Sequence, residues 1–431
     1  MAAVTTASSM PSTACSAAPT PSRPASTAWP ATALPSSRKR HALRRAGRYH
    51  RIRHQLPEFM LRTLHLRGYR SLRDFRLSLG RITVVTGGNG VGKSNLYRAL
   101  AMLQRMADGR FAEAVAQEGG MPSLLWAGER RKEELKRITW ELSHADFDFS
   151  MECGLSPADR NPVEPSKFQT DPDIKSESIR FGGEKGRLMA KRRGPVIDLR
   201  NPEGKMEASP LPVHAPESML SEIRDGLNFP ALTAVRETLL GWRFYHQFRT
   251  DPDSPLRRPR IGSWSPVLAH DGSNLAAALQ SIGESGWRIQ LNEAVEAAFP
   301  GTSWRAVDDS GGFQLQIARP GVDRWMDASE LSDGTLRFFC LCAALLTPKP
   351  PPLLVFNEPE TSLHPDLLEP LAELVLRTPP QTQILVVTHA QQLAERIAEH
   401  PDAKITRLVS FEGETRREGE DSGKRVWTFD G

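Results

Sequence analysis

The stretch GGNGVGKS, residues 87–94, decides the fold, because it satisfies the pattern GxxxxGK[ST]. In this pattern the glycines let the backbone curl tightly, so that successive N–H groups point at phosphate oxygens. Lys93 then reaches the β- and γ-phosphates, while the hydroxyl of Ser94 binds Mg²⁺. An apolar strand over 82–85 precedes the stretch, and an amphipathic helix over about 93–106 follows it. We therefore predict a phosphate-binding loop at a helix N-terminus.

A second signal is the sequence LLVFNEP at 353–359. An apolar strand that ends in two polar residues places them at the carboxyl edge of the sheet, beside the phosphates. Glu358 is then in a position to orient or activate the attacking water, and the neighbouring position, Asn357, normally assists Mg²⁺. Together with the glycine loop, this strand predicts a site that hydrolyses a nucleotide.

Two further stretches supply groups that bind anions. The sequence LSDGT at 331–335 opens an apolar helix that runs to Leu346, and a Ser and a Gly at a helix N-terminus form an anion site. The dipeptide Thr388-His389 follows the apolar strand ILVV at 384–387. At this place His389 can hydrogen-bond a γ-phosphate.

The order of these four stretches resembles the ABC-type ATPase head of RecF and SMC-like proteins, including single-chain ATPases akin to the overcoming-lysogenization-defect proteins. The resemblance covers about 60–145 and 325–411, and the opening LRGYRSLRDFRLSLGRITVVTGGNGVGKSNLYRAL is especially similar to RecF-like heads. Asn95 fits the GKSN loop of those heads. The resemblance implies an α/β fold, a P-loop NTPase head of ABC type with a mixed sheet, which binds ATP and Mg²⁺ and hydrolyses ATP.

The resemblance also implies a role for each residue of the site. Ser332 and Gly334 would contact the γ-phosphate held by a partner subunit, so that the head closes as an ATP-dependent homodimer. Glu358 would be the catalytic carboxylate, His389 the switch histidine, and SLHPD at 362–366 the D-loop. The implied metal ligands are Ser94 and Asn357. The implied nucleotide contacts are Gly87, Gly88, Asn89, Gly90, Val91, Gly92, Lys93, Ser94, Asn95, Ser332 and Gly334.

Three positions depart from the pattern of the resembling proteins. Asn357 stands where most of them have Asp, which removes a charge near Mg²⁺. The signature segment, 331–335, reads LSDGT rather than the transporter-like LSGGQ. No glutamine can be assigned to the Q-loop of such heads, for which Gln117 is only a candidate.

The chain divides into four predicted parts. These are a basic tail that we predict to be disordered (1–59), an N-terminal lobe with the glycine loop (60–145), an insert (146–324) and a C-terminal lobe (325–431). Turn residues separate several short strand patterns between 138 and 200, and 216–246 and 274–299 read as helices. Helices are also predicted at 366–377 and 390–398, flanking the strand at 384–387.

The tail carries the basic excess of the chain. The whole chain has a net charge of +5, yet residues 1–59 contain nine Lys or Arg and one acid, so the remainder is slightly acidic. Three interpretations stay open: an extension outside the fold with the working start at Met60, a basic arm that touches nucleic acid, and an organellar targeting peptide. Bulk charge therefore gives little support to DNA binding by the body.

Several classes of protein are excluded or disfavoured. No run of eighteen apolar residues exists, so we expect no transmembrane helix, no membrane partner and a cytoplasmic location. The four cysteines form no CxxC pair, and Cys340 and Cys342 lie in an apolar helical run, so we expect neither a disulfide framework nor a zinc site. The long gap between Ser94 and Ser332 disfavours a transporter subunit, and the insert is too short and too rich in strands for an SMC coiled coil.

Two function classes remain open. The first is an ATPase of DNA repair or recombination, whose ATP-closed dimer clamps DNA as RecF does. The second is an ATPase or sensor subunit of an antiphage defence or toxin-type system, which controls a separate effector protein. A basic groove across the closed dimer would favour the first class, and an adjacent nuclease or toxin gene would favour the second.

Overall fold

The computed structural model describes residues 61–130, 136–156, 166–183, 186–209, 212–309 and 312–420. The tail predicted over 1–59 lies outside these residues, so its three interpretations stay predictions. The strands in the described part are β1 (Leu61–Tyr69), β2 (Leu72–Ser78), β3 (Ile82–Gly87), β4 (Arg137–His144), β5 (Phe147–Leu155), β6 (Pro172–Phe181), β7 (Arg187–Arg193), β8 (Val196–Arg200), β9 (Met206–Ala208), β10 (Arg243–Tyr245), β11 (Ser303–Asp309), β12 (Gly312–Ala318), β13 (Met326–Asp327), β14 (Leu353–Asn357), β15 (Gln383–Val387), β16 (Ala403–Phe411) and β17 (Glu414–Arg417). The α-helices there are α1 (Lys93–Ala107), α2 (Phe111–Gln117), α3 (Met121–Leu124), α4 (Met219–Glu222), α5 (Pro230–Gly241), α6 (Leu275–Ile282), α7 (Arg288–Ala298), α8 (Asp333–Leu345), α9 (Leu368–Leu376) and α10 (Gln391–Ala398). Of the helices in these ranges, none has the length and apolar character needed to cross a membrane.

A six-stranded sheet carries the stretches singled out in the sequence. Its order is β10-β14-β15-β3-β16-β17, and neighbouring strands are parallel except for the antiparallel pair of β16 and β17. Every residue of β14 and β15 is buried, as expected for apolar parallel strands that are covered on both faces. The predicted α/β class with a mixed sheet is therefore confirmed.

The register of this sheet gathers the polar stretches at one edge. Asn357 at the end of β14 pairs with Val387 at the end of β15, and Val387 pairs with Val85 of β3. Because the carboxyl ends of parallel strands meet at the same edge, the glycine loop, Glu358 and His389 all follow strands that end there. The helix predicted at about 93–106 is confirmed as α1.

A second, antiparallel sheet joins the first strands of the fold to the insert. It has the order β2-β1-β4-β5-β6-β7-β8-β9, and β4 alternates strictly between buried and partly buried residues. Trp140 of β4 is buried and donates its Nε1–H to the carbonyl of Ala99 in α1 at 3.0 Å. The turn between β4 and β5 contains the predicted boundary at 145 and 146, so one continuous sheet spans both sides of that boundary.

A third group of elements, α6, α7 and β11 to β13, packs with α8 and α9 in a second hydrophobic core. The predicted helix at 274–299 is found as α6 and α7, which the wide turn Gly283–Trp287 separates. The helix predicted over 216–246 is found only in part, as α4 and α5, because residues 223–229 between them are not helical and Arg243–Tyr245 forms β10. Phe244 and Tyr245 are buried there, and parallel pairing with β14 outweighs the helical pattern.

The strand β7, Arg187–Arg193, was also missed by the sequence patterns. Four of its seven residues are Lys or Arg, so its alternation is not one of apolar and polar residues. Arg192 is nevertheless 1% exposed, because it reaches Glu177 and the carbonyls of His214 and Glu217. A buried ion pair therefore takes the place that an apolar residue usually has in such a strand.

Candidate functional site

The glycine loop lies between β3 and α1, as the sequence predicts. Gly92 adopts a φ of 98°, and a Cβ there would meet the hydroxyls of Thr415 and Ser71 at 2.0 and 2.6 Å. Only glycine fits both this backbone conformation and this close approach. The loop leads directly into α1, whose first N–H groups have no partner within the helix and attract anions.

Lys93 folds over the loop that carries it. Its Nζ donates to the carbonyls of Gly87 and Gly88 at 2.8 and 2.7 Å. Burial lowers the pKa of Lys93, and the carboxylates of Glu358 and Glu360 act against that shift. The ammonium group is thus held within the loop. Phosphate oxygens would be stronger acceptors for it than these carbonyls, since they carry charge.

A chain of hydrogen bonds connects the side chain of Asn95 in α1 to the backbone of the glycine loop. The Asn95 amide donates to Ser71 Oγ at 2.8 Å, Ser71 Oγ lies 2.7 Å from Thr415 Oγ1, and Thr415 donates to the Val91 carbonyl at 2.7 Å. The side-chain amide of Asn95, which the resemblance makes a nucleotide contact, therefore faces Ser71. Ser71 and Thr415 were not predicted, because 344 positions separate them and no local pattern marks either residue.

Asn357 is 1% exposed at the end of β14. Its Nδ2 lies 2.8 Å from Nδ1 of His246, the residue directly after β10. Among the described residues, its Oδ1 has no hydrogen-bond partner. A buried amide oxygen of this kind can accept a hydrogen bond from a metal-bound water, so Asn357 fits the predicted place beside Mg²⁺.

His246 was not predicted, since no motif marks it. It reaches the site because β10 lies beside β14, and Tyr97 of α1 packs against its ring with centroids 5.7 Å apart. The Q-loop candidate Gln117 lies elsewhere, on the exposed side of α2, and donates to Glu113 at 2.9 Å. Of these two residues, it is His246 whose side chain contacts the end of β14, through Asn357.

Glu358 has a φ of 53°, a conformation that costs a non-glycine residue about 1–3 kcal/mol and is common at active sites. Its N–H donates to the Val387 carbonyl at 2.7 Å, which fixes the turn to the end of β15. The carboxylate is 32% exposed, and its Oε1 lies 3.9 Å from Nδ1 of His389. The two predicted catalytic residues therefore lie next to each other.

Glu360 is a further acid of the site that the sequence reasoning did not single out. Its buried Oε1 accepts hydrogen bonds from the Thr388 hydroxyl at 2.6 Å and from the N–H groups of His389 and Ala390 at 3.0 and 3.2 Å. Nδ1 of His389 lies 3.2 Å from the same oxygen. Glu360 thus contacts both the backbone and the ring of His389. The signal in the sequence that could have identified Glu360 is that it is the second acid of NEPE, residues 357–360.

The signature segment forms the start of α8. Ser332 is the N-cap, and its Oγ accepts a hydrogen bond from the N–H of Thr335 at 3.3 Å. A Cβ on Gly334 would meet the carbonyl of Ser362 at 2.7 Å, so glycine allows the predicted D-loop to pack against this helix end. Ser362 itself has a φ of 64°.

Comparison with known proteins shows what the whole chain is similar to. A family model described as "AAA domain, putative AbiEii toxin, Type IV TA system" matches residues 82–151 and 208–395. The phosphate import ATP-binding protein PstB of Methylobacillus flagellatus is 31% identical over 129 residues, which are 30% of this chain and 43% of that protein. The chain therefore matches less than half the length of this curated relative.

Solved structures of SMC heads are also similar to the chain. One is an SMC head bound to the C-winged helix domain of ScpA, at 16% identity, with 83% of this chain and 97% of that chain covered and a TM-score of 0.46. Another is the SMC head domain from Thermotoga maritima, at 16% identity, with 83% and 98% covered and a TM-score of 0.39. Since the family model matches more than half of the chain, the chain belongs to this AAA family and is an ATP-binding P-loop ATPase of the ABC type.

Proposed function

We propose that the chain is an ATP-hydrolysing switch that closes as a homodimer, with each ATP held between the glycine loop of one protomer and the signature segment of the other. The exposed start of α8 carries this proposal. Ser332 and Asp333 are exposed, whereas the helix is buried from Thr335 to Leu345. A helix N-terminus that faces solvent presents its free N–H groups to an anion outside its own protomer.

Within one protomer, the glycine loop and Lys93 would hold the β- and γ-phosphates. Ser94 and Asn357 would hold Mg²⁺, which neutralises phosphate charge when bound. Glu358 would accept the proton of the attacking water, because it is the partly exposed acid at the edge where the loop lies. His389, fixed by Glu360, would hydrogen-bond the γ-phosphate.

For the biological setting, two roles follow from the same switch. In the first, dimer closure is coupled to DNA binding in repair or recombination. In the second, the chain is the ATPase or sensor subunit of a toxin-type or antiphage defence system and controls a separate effector in the cytoplasm. The family description, which names an AbiEii toxin and a type IV toxin–antitoxin system, favours the second role.

Glu358→Gln tests the switch. The amide cannot accept the proton of the water but leaves the phosphate contacts in place, so ATP binding stays while turnover falls by about 100-fold or more. Light scattering with ATP should then show a dimer, and Glu369→Gln, at an exposed carboxylate, serves as the matched control. A variant that hydrolyses ATP normally, or that stays monomeric at high concentration with ATP, contradicts the proposal.

The same assay separates the two roles. The ATPase rate of the native protein is measured alone, with single-stranded DNA and with double-stranded DNA, at one fixed salt concentration. A rate that rises several-fold with DNA supports coupling to DNA. A rate that DNA leaves unchanged, together with the absence of DNA binding by the trapped Glu358→Gln dimer, supports the effector-controlling role.

A further inference from the structure

Arg257 is a buried arginine that the site described above does not use. It ends the short 3₁₀ turn Pro255–Arg257, which Ser254 caps, and only 8% of the residue is exposed. Its Nε donates to the Thr250 carbonyl at 2.7 Å. The rest of the guanidinium points to the signature segment, 71 to 76 positions further along the chain.

Four hydrogen bonds join this guanidinium to the residues that lead into α8. Nη1 donates to the carbonyls of Ala328, Ser329 and Leu331 at 3.1, 3.2 and 2.7 Å. Nη2 donates to Oδ1 of Asp333 at 2.6 Å. Arg257 therefore fixes the backbone that precedes Ser332 and the side chain of Asp333, which follows it. A lysine could not make these contacts together, because it has one ammonium group and no planar fork.

The ion pair between Arg257 and Asp333 also changes the charge at the proposed γ-phosphate contact. Asp333 lies between Ser332 and Gly334, where the transporter-like signature has a glycine. Its side chain is 57% exposed, while that of Arg257 is 9% exposed. An unpaired carboxylate at this place would repel the phosphate that Ser332 and Gly334 approach. Arg257 offsets this charge from its buried position, so the solvent-exposed face of the signature segment stays available to a partner protomer.

We propose that Arg257 is a positioning residue that holds the signature segment ready for the ATP of the partner protomer and neutralises Asp333. The proposal rests on the proposed function, because it concerns the same closed dimer. It assigns a role to a residue of the insert, outside every motif of the ATPase head. Arg257 acts through Ser332 and Gly334, and the ATP bound by its own protomer does not depend on it.

The test measures ATP-dependent dimerisation in the Glu358→Gln background, with Arg257→Gln added. We expect the protein concentration for half-dimerisation to rise about tenfold or more, since several hydrogen bonds to a charged group are lost. Binding of a fluorescent ATP analogue to the monomer should stay within about twofold. Arg258→Gln is the matched control, because Arg258 is the next residue but is exposed and pairs with Asp253. An unchanged dimerisation curve for Arg257→Gln overturns the proposal.

Two further variants keep the test decisive if Arg257→Gln does not fold. Arg257→Lys retains the charge but not the fork, so its dimerisation should be weaker than that of the control Arg258→Gln. Asp333→Asn in combination with either Arg257 variant should recover part of the lost dimerisation, because no unpaired carboxylate then faces the phosphate. Dimerisation of Arg257→Lys equal to that of the control, or no recovery with Asp333→Asn, contradicts the inference. If Glu358→Gln alone fails to dimerise, the proposed function fails instead.

Discussion

Asn357 and His246 face each other across the ends of two neighbouring parallel strands, with Nδ2 of the amide 2.8 Å from Nδ1 of the imidazole. Asn357 occupies the position where most of the resembling proteins have Asp. An amide donor to a ring nitrogen implies an imidazole whose proton is on Nε2. The amide oxygen then stays available to a metal-bound water, so the site has an acceptor without a formal charge.

Asn357→Asp should therefore lower the Mg²⁺ concentration that half-activates ATP hydrolysis. A carboxylate attracts the hydrated cation more strongly than an amide oxygen does, and we expect a shift of severalfold. The measurement is a Mg²⁺ titration of the ATPase rate. The same titration gives the maximal rate, which falls if the new carboxylate disturbs the neighbouring carboxylate of Glu358. An activation curve identical to that of the native protein would show that Asn357 does not face the metal.

Lys93→Ala should abolish ATP binding. Lys93 is the lysine of the loop, and its Nζ now lies on two loop carbonyls, from which it can transfer to the phosphates. We expect the dissociation constant of a fluorescent ATP analogue to rise by about 100-fold or more. The exposed Lys404 of β16 provides the control Lys404→Ala. Unchanged affinity in Lys93→Ala would remove the glycine loop from the site.

Glu360→Gln should slow hydrolysis and leave ATP affinity nearly unchanged. The amide is a weaker acceptor than the carboxylate for the Thr388 hydroxyl and for the N–H groups of His389 and Ala390, so His389 loses its fixed position. We expect kcat to fall about tenfold, which corresponds to about 1.4 kcal/mol. Steady-state kinetics give kcat and KM separately, and Glu395→Gln on α10 is the control. A fall in affinity without a change in kcat would argue for a purely structural role.

The sequence predicts the parts of this site that are contiguous and misses those that the fold assembles. Residues 87–94 and the pair Asn357-Glu358 belong to contiguous patterns, and their strands were confirmed because buried parallel strands are continuously apolar. His246 and Arg257 follow no such pattern. His246 reaches the site because the three-residue strand β10 pairs with β14. Arg257 reaches the signature segment through hydrogen bonds to backbone carbonyls, which any sequence offers. Both depend on tertiary contacts that local propensity does not encode.

His144 should make the stability of the fold depend on pH. The imidazole is buried and stacks on Phe147 with ring centroids 4.4 Å apart, and burial lowers its pKa from 6.5 to about 4, against the opposite influence of Asp146. Between these two values the unfolded chain binds a proton that the folded chain does not. The free energy of unfolding is therefore constant above about pH 6.5 and decreases as the pH falls towards 4, by up to about 3 kcal/mol from this residue.

His144→Phe tests this pH dependence because it keeps the stack but cannot take up a proton. The variant loses the hydrogen bond from the Asp146 N–H to Nδ1, at 3.2 Å, so it should be about 1 kcal/mol less stable at pH 7. Its free energy of unfolding should nevertheless change less between pH 6.5 and 4.5 than that of the native protein, as measured by urea unfolding at several pH values. His214→Phe, at an exposed histidine, is the control and should keep the native slope. Equal slopes for His144→Phe and the native protein would show that another group causes the acid sensitivity.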